Sequence, residues 1–390
     1  MNSLLAGTGR DELRSFAAAN LWQMLSATEG TLSTASAKVV GQFTGFDVLT
    51  GSGNDRLSGA AASNKWLLNG PGSGTLNTRL SFAGFGHLQG NGGNDTFEVD
   101  AAGGITSIDG GDGDDSLSAR NSANTWNFSR NDSGNLRATG EQANYLSFSG
   151  IETFTGAVAA ADSISLDPQV TQVKLAAGGQ AGDELIVNYR DSLSLTSDGT
   201  RWLGISGVQQ VTAQPLTPAS SAQITSSASS ASRWIINEEN GGDWTVGVGT
   251  AGAQTTHFRG FDTLQGAAAA DEYLLRNGRI STLIDGGTAL PGDLQNDSLA
   301  GDSQNTYWTV TGTGAGSLTY VAEDHPPVQH FANIETLIGG AANDVFRLAA
   351  DGISINIRGG NGHESVDSIA FNGALDLTLG QQDVVGVGIS

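Results

Sequence analysis

Two neighbouring stretches of this chain carry acids and glycines at a spacing that suits cation binding. Gly90-Asn-Gly-Gly-Asn-Asp95-Thr-Phe97 is followed by Gly110-Gly-Asp-Gly-Asp-Asp115-Ser-Leu117. Asp95 and Asp115 stand twenty positions apart, and so do Phe97 and Leu117. The second stretch fits the calcium nonapeptide pattern G-G-x-G-x-D-x-U. Calcium takes six to eight oxygens at about 2.3–2.6 Å. If the two turns stack, the candidate ligands are Asp95, Asp115, Asp112 and the carbonyls of Gly93 and Gly113. The same residues have a second reading, in which Gly-Gly turns the chain and Asp accepts from the backbone of its own turn, with no ion involved. The motif recurs at every twentieth position rather than every ninth. The copies GGAANDVF at Gly339, GGQAGDEL at Gly178 and GAAAADEY at Gly266 have lost the second-half glycine. Calcium is therefore an expectation for the Asp95/Asp115 pair.

Other reactive groupings are missing from the sequence. There is no Cys, which removes thiol chemistry and a disulfide framework, and neither H-E-x-x-H nor G-x-S-x-G occurs. Gly247-Val-Gly-Thr-Ala-Gly252 fits G-x-G-x-x-G, but no helical pattern follows it, so it reads as Gly-rich sequence. His87, His257, His325, His330 and His363 are scattered; His325 and His330 flank Pro326-Pro327 in a loop-like stretch. An enzyme acting on polysaccharide from a β scaffold needs clustered acids with a base beside them in one groove. Here the acids gather in turns with few bases near, so the chain reads as non-enzymatic with no catalytic residue assigned. Trp22, Trp66, Trp126, Trp234 and Trp308 could stack on sugars, but a regularly placed Trp in a repeat reads first as core.

The composition limits the partners. The 390 residues include 56 Gly, and 40 acids against 18 bases give a net charge of −22. Such a surface repels nucleic acid and anionic lipid. No apolar run reaches the length that crosses a bilayer, so no direct membrane insertion is expected. The start, MNSLLAGTGRDELRS, lacks a charged segment followed by an apolar one.

The elements that must position these residues are repeated. Asn20-Leu-Trp22, Asn64-Lys-Trp66 and Asn124-Thr-Trp126 share an Asn two before Trp, with Asn305-Thr-Tyr-Trp308 as a variant. Asp11, Asp55, Asp115 and Asp297 each precede the next Trp anchor by the same eleven positions. A second anchor follows each Trp: FTGFDVL at Phe43, FAGFGHL at Phe82, FSGIETF at Phe148, FRGFDTL at Phe258 and FANIETL at Phe331. The steps Leu88 to Ile108, Leu264 to Ile284 and Leu337 to Ile357 are equal, each of twenty positions.

Apolar residues alternate in short runs such as TFEV, SISL and WTVTG, which is strand period, and Gly, Asn and Asp punctuate them. Short strands with this constant return predict an all-β fold, a right-handed parallel β-helix (solenoid) with coils of about 20 residues. Residues 1–390 then form one continuous rod of roughly 90 Å, with like side chains stacked about 4.8 Å apart. The Ser-rich run Thr217 to Arg233 interrupts the pattern and marks a seam or loop insertion at 215–233. Neither end shows a cap, so the chain reads as part of a longer fibre.

At this level the chain resembles the repeat regions of large bacterial exported adhesins of the filamentous-haemagglutinin type, delivered by two-partner secretion. The turns at Gly90 and Gly110 resemble those of calcium-binding RTX proteins. The resemblance covers nearly the whole chain in architecture, and at motif level only those two turns. It implies a secreted or cell-surface location on a bacterium, a monomeric rod, and a role in cell adhesion or biofilm matrix, with exopolysaccharide or another cell-surface glycan as partner. The alternatives are a polysaccharide-acting β-helix enzyme of lyase or epimerase type, and a calcium-stabilised RTX-type spacer.

Overall fold

The computed structural model describes residues 3–371 apart from 18, 35–36, 102–103, 121, 139–145, 288–295, 322–326, 351–352 and 361–367. All regular structure in the described residues is β strand. No helix among them is long and apolar enough to cross a membrane. Contacts divide the chain into two units: Met1–Val187 with Leu203–Val208, and Asn188–Trp202 with Gln209–Ser390.

Strand formation follows from the period-two alternation of apolar residues, which gives each strand one buried face. In the first unit, Leu88 lies opposite Ile108 and Phe97 opposite Leu117 in parallel pairs, so the repeat step is the distance along the chain between neighbouring strands. In the second unit the same step pairs Leu264 with Ile284 and Leu337 with Ile357. The Ser-rich run in this unit supplies the strand Ser221–Ser226, whose Ile224 pairs in parallel with Leu195 and Leu264.

The step is not uniform, because Trp22, Trp66, Trp126, Trp234 and Trp308 each open an antiparallel meander of three strands. The first unit has three: Leu21–Met24, Glu29–Ser33 and Lys38–Thr44; Lys65–Gly70, Ser73–Leu76 and Leu80–Gly92; and Asn124–Arg130, Ser133–Ala138 and Leu146–Ser149. The second unit has two: Ser232–Glu238, Gly241–Val246 and Gln254–Arg259; and Thr306–Gly312, Ala315–Tyr320 and Gln329–Ala332. A step that contains a meander is longer. The amide of Asn124 bonds to Asp162 and that of Thr306 to Asp344, each 38 residues on, whereas Asp95 bonds to Asp115 only 20 on. The two extra strands leave the parallel array and return to it, so the fold is mixed where the sequence predicts parallel pairing throughout.

The core is aromatic. All seven Trp are buried, none more than 1% exposed. Trp66 stacks on Phe97, its parallel partner, with centroids 5.6 Å apart, and Trp308 stacks on Phe346 at 5.4 Å. Such ring pairs add about 0.5–1.5 kcal/mol each beyond their area burial. With every Trp inside, none offers a face to a sugar.

The meanders share one rule. Each anchor Trp is followed eight positions on by Gly: Gly30, Gly74, Gly134, Gly242 and Gly316. That Gly lies opposite the Phe of the second anchor, Phe43, Phe82, Phe148, Phe258 or Phe331. At Gly134 a Cβ would overlap Asn127 O and stand 2.9 Å from Phe148 Cζ. The ring lies across the bare backbone, an arrangement that covers glycine in sheets.

Candidate functional site

The Asp of each Gly/Asp turn is buried, and its carboxylate points back into the turn. A Cβ on Gly90 would overlap Asp95 Oδ2, and one on Gly110 would overlap Asp115 Oδ2, so the first glycine of the motif makes room for the acid five positions on. Oδ1 of each Asp accepts a backbone N–H from the equivalent position one strand back. Asn64 N donates to Asp95 Oδ1 (2.6 Å), Asp95 N to Asp115 Oδ1 (2.7 Å), and Asp115 N to Glu152 Oε2 (2.7 Å). In the second unit, Asp271 N donates to Asp297 Oδ1 (2.7 Å) and Asp297 N to Glu335 Oε2 (2.9 Å). The carboxylates thus form ladders that satisfy buried amides where the strands break for a turn.

Glu152 and Glu335 carry no site assignment from the sequence. They are the fifth residue of the second anchor, where an acid recurs: Asp47, Glu152, Asp262 and Glu335. Each accepts a backbone amide from a paired strand, from Asp11, Asp115, Ala222 and Asp297 respectively. The recurring acid was the signal for this role.

The second carboxylate oxygen separates two kinds of turn. Oδ2 of Asp162, Asp271 and Asp344 accepts the amide of the residue after the turn's glycine, from Ala157 (2.7 Å), Ala267 (2.8 Å) and Gly340 (2.6 Å). In the turns of Asp95, Asp115 and Asp297 that residue is Asn91, Gly111 or Gly287, held at φ 81°, 102° and 105°. The positive φ turns the amide away, and Oδ2 of all three acids is buried with no hydrogen-bond donor among the described residues.

Donor supply sets the acidity. Burial pushes Asp55 up, but bonds from Asn20, Trp22 and Ser52 outweigh it and hold Asp55 below the usual carboxylate range. Burial pushes Asp95 up to about 6, opposed by its bonds from Asn64 and assisted by the charge of Asp115. Asp115 is also raised, by burial first. Burial raises Asp297 to about 8, with the charges of Asp271, Glu335 and Asp285 adding to it.

Of the candidate calcium ligands, the structure brings Asp95 and Asp115 together, and it stacks Gly113 on the carbonyl of Gly93. Asp112 sits exposed on the rim of the same turn. The Oδ1 atoms of Asp95 and Asp115 already accept backbone amides, which leaves their two Oδ2 atoms, the Asp112 carboxylate and nearby carbonyls for an ion. Among the described residues no three His, Cys, Asp or Glu side chains gather as a metal-holding group.

The scattered His residues divide. His325 and His363 lie outside the described residues. His257, in the second unit, lies between Asp243 (Nδ1 to Oδ1, 2.8 Å) and Glu238 (Nε2 to Oε1, 3.1 Å), and Arg259 Nε donates to the same Glu238 oxygen at 2.8 Å. No sequence spacing announces this cluster, because the meander turn brings Glu238 and Arg259 together from 21 residues apart. No protein-family model, curated protein or solved structure matches this chain.

Proposed function

We propose that this chain is a structural and adhesive segment of a bacterial secreted or surface adhesin, wound as a right-handed β-solenoid, that holds exopolysaccharide in a biofilm matrix. One observation carries the structural part: the residues that define the repeat (Trp, the Gly eight on, Phe and the turn Asp) are turned inward and used to build the fold. At outward positions the meanders carry small polar side chains such as Asn135 and Ser147 alongside charged ones such as Lys65 and Arg137. A scaffold of this kind presents a surface and performs no chemistry of its own. The adhesive part and the bacterial, extracellular setting rest on the resemblance of the repeats to exported adhesins.

The net charge of −22 gives the protein high mobility toward the anode, which makes affinity electrophoresis a direct test. Retardation is expected in gels containing dextran or hydroxyethylcellulose, and little in gels containing alginate, which repels an acidic protein. Equal mobility in all gels would remove the adhesive part and leave a spacer.

The calcium-stabilised spacer is a second reading, favoured by the donorless Oδ2 atoms of Asp95 and Asp115. With Oδ1 of both acids committed to amides, we expect the melting temperature to be the same with millimolar calcium and with chelator. A saturable rise with calcium, lost in Asp115→Asn, would establish the calcium reading instead. The cluster of Glu238, Asp243, His257 and Arg259 favours a polysaccharide-acting enzyme. A fall in polysaccharide viscosity that His257→Ala abolishes would show it.

A further inference from the structure

One meander of the second unit differs from the others in charge. Nine positions after the anchor Trp the meanders carry Thr31, Thr75, Asn135 and Ser317, all neutral, but in the meander of Trp234 the residue is Asp243, facing His257. The turn of that meander is Glu238-Glu239-Asn240-Gly241, where the others read Ser-Ala-Thr-Glu, Gly-Pro-Gly-Ser, Arg-Asn-Asp-Ser and Gly-Thr-Gly-Ala. In a chain with only 15% charged residues this is a local concentration of charge. A place where a repetitive sequence breaks its own pattern is where a function is expected.

A cavity of about 230 Å³ lies beside this turn, lined by Glu239, Asn277, Arg279, Gln304, Tyr320 and Pro327. One wall is held rigidly. Asn240 N donates to Arg279 O (2.8 Å), and Ser281 N donates to Asn240 Oδ1 (2.8 Å). Asn240 and Asn277 both adopt positive φ, 55° and 63°. Asn277 lines the cavity and Asn240 lies in the turn beside it, and a non-glycine residue in that region is a conformational cost that persists where the surroundings demand it.

The lining decides the ligand class. Arg279 Nη2 donates to Glu239 Oε1 at 2.6 Å, so the two charges already neutralise each other. A charged ligand would have to break that pair, and an anion would also meet the acidic surface. What the pocket offers is paired donors and acceptors, the amides of Asn277 and Gln304 beside the ion pair, with Tyr320 and Pro327 as the apolar part. Hydroxyl groups, which donate and accept at once, match such a lining. The volume suits one sugar ring rather than a length of chain.

We propose that this pocket binds a neutral, hydroxyl-rich sugar residue of a polysaccharide. The proposal rests on the adhesive reading above and adds the site and the ligand class. Calorimetric titration of the full chain with isomaltohexaose, cellohexaose and hexagalacturonate tests both. At least one neutral hexamer is expected to bind better than the uronate. Gln304→Ala and Arg279→Ala should each weaken that binding by about tenfold, the loss of a hydrogen bond to the ligand. Gln304 is exposed and Arg279 only partly buried, so both variants should keep the wild-type melting temperature. Asn135→Ala, on the outer face of the first unit, should bind like wild type. If the chain binds a neutral hexamer and both pocket variants bind it unchanged, the site is wrong and the adhesive reading stands. Tighter binding of the uronate would overturn the ligand class, and binding of none of the three would overturn both the site and the adhesive reading.

Discussion

Gly134→Ala is expected to lower stability about as much as Phe148→Ala, although it adds one methyl group. The new Cβ would overlap Asn127 O on the adjacent strand and stand 2.9 Å from Phe148 Cζ. Neither neighbour can yield. Asn127 lies in the middle of the strand Asn124–Arg130, and Phe148 is buried against Trp126, Phe128 and Phe154 with centroids 5.1–6.1 Å away. Overpacking of this kind costs about 1–3 kcal/mol or more, and removing a buried Phe ring about 3–5 kcal/mol. The two sites are in contact, so the double variant should cost less than the sum by about 0.5–3 kcal/mol. Urea unfolding followed by Trp fluorescence reads all three variants. Ser133→Ala, one residue earlier and facing outward, is the control and should lie within about 0.5 kcal/mol of wild type. A Gly134→Ala protein as stable as that control would show that the Gly–Phe register is wrong, and with it the explanation of the constant Trp-to-Gly spacing.

The second large effect is a dependence on pH opposite to that of most proteins. Asp297 has its folded-state pKa raised from 3.8 to about 8, by burial first and by the charges of Asp271, Glu335 and Asp285. Between about pH 4 and pH 8 the folded chain therefore holds a proton that the unfolded chain releases. Stability from this group is fully present below the unfolded value and is lost as pH rises through the folded one. Each tenfold difference in acidity between the two states corresponds to about 1.4 kcal/mol, so the change across the window is several kcal/mol. Asp95, raised to about 6, contributes with the same sign over a shorter window. Asp55, held below its ordinary value, opposes this only in stronger acid. The melting temperature should therefore rise from pH 8.5 to pH 5. Asp297→Asn, which still offers Oδ1 to the amide of Asp271, should flatten most of that slope and be at least as stable as wild type at pH 8.5. A wild-type curve that is level or falls toward pH 5 would mean that the donorless Oδ2 atom is met by something other than a proton.

Much of the first layer of this protein was legible in the sequence. Parallel pairing places each residue beside the one a full step away, so a buried position must be refilled by a like side chain at the same interval. That is why Leu88 and Ile108, one step apart, name each other as partners through their spacing alone. A Trp kept at regular places inside alternating runs is in the core for the same reason. The meanders were hidden because parallel and antiparallel strands share a period of two. The hairpin turns, such as Pro71-Gly72, are also too common in a Gly-rich chain to stand out, and only the spacing of Trp to the Gly opposite Phe recorded them. The direction of the Asp carboxylates was decided by the tertiary structure. Gly340 and Gly111 are the same residue after the same glycine, each four before its Asp, yet the first donates to its Asp and the second, at φ 102°, does not. The backbone angle there depends on the strand stacked against the turn, which local sequence does not contain. The cluster of Glu238, Asp243 and His257 and the pocket beside it lie further still from the sequence, since the groups that meet there do so only after the chain has folded back on itself.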